Sequence, residues 1–130
     1  MRPVDERAET SIQSVVLVPV VFVLVFACFH VGSLLHQGHV AEAIAARGAD
    51  VSATGGISAQ TQQSALEEMS RMAQELGAEL VRRPTISFGR NLVEVRVTVG
   101  ARGAVPFLPR TAVATVRRVQ ERFVTQQERE

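Results

Sequence analysis

The apolar and polar positions of this chain change rhythm four times. From Thr10 to Ala41 there is no Asp, Glu, Lys or Arg, and Val15 to Leu35 is made mostly of Val, Leu, Phe and Ala. As a helix that block rises about 32 Å, against a bilayer hydrocarbon core of about 30 Å, so a single membrane-spanning helix is expected. Pro19 falls about one turn into the block, where the freed carbonyl can be met by water or by Ser14, so a bend of the membrane helix is expected there and not a break. Beyond the block, Val40, Ala41, Ile44, Ala45 and Ala49 recur at steps of one, three and four, which continues the helix past the membrane with a small-residue face. "TGG" at Thr54 to Gly56 then breaks it, because adjacent glycines are costly in a helix and suit turns.

A second amphipathic helix follows, with Leu66, Met69, Ala73, Leu76 and Leu80 at three- and four-residue steps. Ser64 and Glu67 have capping-box spacing, marking its start or a later turn, and Gly77 is a stop signal, although the pattern runs to Leu80. The period then shortens to two: Val93, Val95, Val97 and Val99 alternate with Glu94, Arg96 and Thr98, the pattern of a half-buried strand. "TISF" before it puts Ile86 and Phe88 on one side, Gly89 to Asn91 supplies a short hairpin loop, and Pro84 pushes this partner toward a sheet edge. The segment 111–124 fits two periods. Val113, Val119 and Phe123 suit alternation, whereas Ala112, Val116, Val119 and Phe123 suit a helix. A third strand closing a small antiparallel sheet is preferred, since it lets the hairpin bury its valines against a helix. The expected fold class is α+β: a long N-terminal transmembrane helix continuing outside the membrane, then a second amphipathic helix packed on a small antiparallel sheet.

Two other readings of the apolar block compete. A secretory signal needs a basic n-region, but "MRPVDERAE" mixes Arg2 and Arg7 with Asp5, Glu6 and Glu9. "LVFAC" resembles a lipobox ending at Cys28, yet Phe26 is bulky for its slot and "FHVGSLL" follows where a polar linker belongs. An anchor that stays in place is the better account. Arg2 and Arg7 before the span, with only Arg47 close after it, favour a cytoplasmic N-terminus and an extracytoplasmic C-terminal part.

Composition narrows the function. The 130 residues carry 14 basic side chains, all Arg, against 13 acidic ones, with no Trp or Tyr, so nucleic acid is not an expected partner. One cysteine excludes an internal disulfide framework. His36, His39 and Glu42 have ligand-like spacing, but histidines at a membrane boundary account for them as well, His30 inside the span is expected to hydrogen-bond locally, and no metal or other cofactor is expected. No nucleophile–base set and no phosphate loop stands out, so neither catalysis nor a small-molecule substrate is expected. Glu67, Glu68, Glu75 and Glu79 on the second helix face a sheet region rich in arginine. Such charges can pair within the molecule or between subunits. Arg117 and Arg118, with the apolar loop residues Val105, Phe107 and Leu108, are candidate subunit or envelope contacts, unless that loop simply covers the sheet edge.

Glu6 to Ala49 resembles the N-terminal region of TadE-like proteins, pilin-related components of tight-adherence (Tad/Flp) pilus systems. Arg7-Ala8 lies where that family has Arg-Gly, Val18-Pro19 where it has Leu-Pro, and Arg47-Gly48-Ala49 near the end of its Ala-rich continuation. The resemblance implies cleavage by a prepilin peptidase between Ala8 and Glu9, which makes Gln13 the fifth residue of the mature chain. Pilins usually place a Glu there, ready to pair with a neighbour's new amino terminus. A carboxylate without that partner costs about 2.5–3.5 kcal/mol at the centre of a membrane helix and less near the interface; Gln13 removes both the cost and the pairing.

The division that follows is a leader-like cytoplasmic tail (1–8), a transmembrane helix (9–35), its extracytoplasmic continuation (36–53) and an extracytoplasmic α+β domain (57–130). The implied function is a minor pilin or an assembly or priming component of a Tad-type pilus. Its implied partners are other pilin-like subunits, the assembly machinery and the lipid bilayer. A membrane-tethered extracytoplasmic binding module and a minor pseudopilin of a type II secretion system are the alternatives.

Overall fold

The computed structural model describes residues 4–101 and 107–120, with side chains from residue 13 onward. Its elements are two helices, α1 (Val4–Gly55) and α2 (Ala59–Glu75), followed by three strands, β1 (Thr85–Phe88), β2 (Leu92–Gly100) and β3 (Thr111–Val119). The α+β class expected from the periodicities is the one observed.

The 52 residues of α1 rise about 78 Å, and the helix is unbroken across Pro19. It ends where the paired glycines were expected to end it. Gly56 takes a φ of 75°, a left-handed conformation that costs glycine little, and the chain reverses into α2. The N-cap of α2 is Ser58, whose hydroxyl accepts from the Thr61 amide at 3.0 Å. Ser64 and Glu67 therefore sit inside the helix and mark a later turn. Gly77 closes α2 with a φ of 63°. The Gly77 amide donates to Gln74 and the Ala78 amide to Ala73, the paired bonds of a Schellman motif. Leu76 and Leu80 consequently leave the helical pattern, and Leu80 instead forms a bridge to Val99.

The sheet is an antiparallel meander in the order β1-β2-β3. Ile86 pairs with Val95 and Phe88 with Val93, while β3 runs the whole length of β2 from Leu92↔Val119 to Gly100↔Thr111. Pro84 is buried just before the edge strand β1. Where β1 stops, the segment after α2 takes over the edge of β2: the Val81 amide donates to Thr98 and the Gly100 amide to Glu79. The Gly89–Asn91 loop closes through the Gly89 amide on the Leu92 carbonyl at 2.7 Å. Neither Gly89 nor Asn91 uses a positive φ, so the turn does not draw on their left-handed tolerance.

The core lies between α1, α2 and one sheet face. Ala41, Ile44, Ala45 and Ala49 of α1, Met69 and Ala73 of α2, and Val93, Val95, Val97 and Val99 of β2 form one buried cluster. The main helix-to-sheet contact is made by α1, which lies against β2 and β3, while α2 packs along α1. On β3 the inward positions are Ala112, Ala114 and Val116, opposite Val99, Val97 and Val95. The alternating set read from the sequence, Val113 and Val119, lies on the outer face and is exposed; its third member, Phe123, lies outside the described residues. Small inward side chains let α1 approach β3 closely, which is why the more hydrophobic parity faces out.

Candidate functional site

The feature that sets this molecule apart is the division of α1 into a bare half and a packed half. Every residue from Gln13 to Phe29 is exposed, including Val15, Leu17, Phe22, Leu24 and Phe26. At His30 this changes abruptly. Its side chain is 2% exposed, and its Nε2–H donates to the Pro109 carbonyl across 3.2 Å, while Nδ1 is buried without a hydrogen-bond partner. The head thus touches the helix inside the block expected to be a lipid-facing span to Leu35. Leu34, Leu35, Gly38, His39 and Glu42 continue the junction against Val113, Ala114 and Thr115.

Within the packed half, the Arg47-Gly48-Ala49 tripeptide has a structural purpose. Arg47 Nε donates to Glu68 at 3.0 Å, Ala49 is fully buried, and a Cβ at Gly48 would collide with the Met69 side chain. Gly48 is the notch into which α2 inserts its methionine. Glu68 also accepts from Arg71, which in turn reaches Glu75 at 2.7 Å. Hydrogen bonds from Arg71 first, and Arg47 second, hold the Glu68 carboxyl below its ordinary value of 4.5, and the hydrogen bond to Glu68 raises the Arg71 guanidinium in return.

The candidate residues are distributed as follows. Ala8 and Glu9 lie on the backbone of α1, but their side chains fall outside the described residues. Gln13 is exposed on the bare half, and Pro19 lies within it. Arg117 and Arg118 point to opposite faces of β3, as neighbours in a strand must. Arg117 pairs across the outer face with Glu94 at 2.7 Å, and Arg118 reaches Asp50 of α1 at 2.9 Å. Arg117 and Arg118 therefore engage β2 and α1, while the α2 carboxylates Glu68 and Glu75 engage arginines on helices. Phe107 and Leu108 do not cover the sheet edge: Phe107 is fully solvent-exposed at a φ of 75°, and Leu108 is also exposed. Val105 lies outside the described residues. Cys28 is a free, exposed thiol on the bare half. His36 borders the apolar surface formed with Leu24, Cys28 and Phe29, away from His39 and Glu42 on the β3 side; among the described residues no three potential metal ligands come together.

Sequence reasoning missed Pro109 and Asp50 as junction residues. The local hydrogen bond expected of His30 is not the one found: a buried imidazole needs a partner, but that partner is the Pro109 carbonyl, 79 positions away.

By length and composition, Gln13–Gly55 is a helix able to cross a membrane. No curated protein and no solved structure matches the chain. A family model does: residues 10–50, which comprise most of the bare half of α1 and most of its packed half, match the family described as TadE-like protein.

Proposed function

We propose that this chain is a pilin-like, single-pass membrane protein acting as a minor pilin or as an assembly or priming component of a Tad-type pilus, without catalytic activity. The observation that carries the reading is the coincidence of the TadE-like match at residues 10–50 with a helix that is bare and apolar through Phe29 and buttresses an α+β head from His30 onward. Such a helix has one end free for lipid or for neighbouring helices, while the other keeps the head at a fixed height. In this reading the N-terminus is cytoplasmic and the head, residues 57–130 with the packed half of α1, is extracytoplasmic.

Gln13 favours a minor role. Its neutral amide can occupy the bilayer at less cost than a carboxylate, but it offers no charge to a neighbour's amino terminus. A subunit at a tip, or one kept in the membrane during assembly, does not need that pair. Intact-mass measurement of the protein purified from its native membrane tests the pilin route: the expected mature chain begins at Glu9, and a chain that begins at Met1 or Arg2 overturns it.

The exposed outer sheet face, with Leu92, Val113 and Val119 around the Arg117–Glu94 pair, favours a second reading, a tethered head that binds an envelope ligand. In that reading the span is interchangeable; in the first it is not.

A further inference from the structure

We propose that the Phe107–Leu108 tip enters the interfacial region of the bilayer beside α1, giving the head a second membrane contact; this rests on the reading of α1 as a membrane span. The geometry begins with the strand that follows the tip. Pro109 meets His30, Val113 to Thr115 lie beside Leu34 to Glu42, and Arg118 meets Asp50. From Pro109 to Arg118 a strand advances about 30 Å, and from His30 to Asp50 a helix also rises about 30 Å. The two segments therefore run alongside each other in step, and the chain before Pro109 is aimed toward the bare end of α1. Phe107 is two residues back, within about 7 Å of Pro109.

Span length fixes where the lipid lies. The bare apolar residues 15–29 rise only about 22 Å, short of a hydrocarbon core of about 30 Å, and the polar zones add about 5–7 Å on each side. A hydrocarbon core that takes in the uncharged stretch from Thr10 to Phe29, which rises about 30 Å, has its head-side interfacial zone at the level of the His30–Pro109 contact. Phe107 and Leu108 fall within that zone.

The tip suits the position chemically. A bulky residue at positive φ is rare, and here it holds the phenyl ring clear of the head, fully exposed. Arg110, also exposed, follows Pro109 and can reach anionic headgroups. An aromatic and an aliphatic side chain flanked by a basic one is a composition that favours the boundary between headgroups and acyl chains. Lipid is preferred to a second copy of the chain because the tip adjoins the same stretch of α1 that lipid must surround.

The chain contains no tryptophan, so single substitutions report their surroundings without interference. The full chain would be reconstituted in phosphatidylcholine–phosphatidylglycerol vesicles as three variants: Phe107→Trp, Phe22→Trp within the span, and Val119→Trp on the outer sheet face. The expected result is quenching of Phe107→Trp by lipids brominated near the glycerol end of the acyl chain, with protection from aqueous acrylamide. Phe22→Trp should respond to deeper bromine labels, and Val119→Trp to acrylamide alone. If Phe107→Trp responds to acrylamide alone while Phe22→Trp remains lipid-quenched, the tip contact is overturned and the span stands. Protection from acrylamide without lipid quenching also overturns it, in favour of a second copy. Loss of lipid quenching at Phe22→Trp removes the span, and the inference with it.

Discussion

Gly48 carries two kinds of information. In the sequence it belongs to the Arg-Gly-Ala element by which Glu6 to Ala49 resembles TadE-like proteins; in the structure its missing side chain leaves the space on α1 that Met69 occupies. Gly48→Val should therefore overpack the junction and destabilise the head by about 1–3 kcal/mol, despite the better helix propensity of the new residue. Combined with Met69→Ala, its effect should be much smaller than the sum of the two, because both act on one space. Thermal unfolding of the full chain in detergent, followed by circular dichroism, checks this; additive losses would show that Met69 does not occupy the notch. His30 was less legible. Its polarity inside an apolar run signalled a local partner, but the partner it has, the Pro109 carbonyl, is 79 positions away, and no local pattern identifies it.

At the scale of elements, strong periodicities were read correctly where a single neighbour decides the burial. The alternating valines of β2, the small-residue face of α1, the break at Thr54–Gly56 and the stop at Gly77 all follow from local chemistry. The inward parity of β3 did not, because Ala112 and Ala114 carry little hydrophobic signal and are selected by the close approach of α1. The link between α1 and α2 is electrostatic as well as apolar. Glu68 accepts from Arg47 and Arg71, and its lowered pKa implies a stabilising contribution present above the ordinary carboxylate value of 4.5. That contribution disappears as the pH falls through the lowered native value. Glu68→Gln should consequently unfold at a lower temperature than the parent at neutral pH, with the gap closing as the pH is taken below 4.5. A gap that is constant across the titration would show that the ion pairs contribute nothing beyond packing; as surface pairs, their effect should also shrink in high salt.

For the whole molecule, the sequence made the order of parts clear: an apolar helix, its continuation, a second helix and a valine-rich sheet. What it left undetermined was the height of the head on the helix. Leu34 and Leu35 are apolar enough to read as span, but β3 lies alongside them, and the unbroken run of exposed residues ends at Phe29. The central claim is that this bare region, residues 13–29, takes part in assembly and does not merely tether the head. It is tested most directly by replacing residues 13–29 with an unrelated membrane helix of equal length, leaving His30 to Gly55 to hold the head, and measuring pilus formation and incorporation of the variant. The account predicts a membrane-anchored chain with a folded head and with pilus formation and incorporation lost; undiminished assembly with the foreign helix would contradict it.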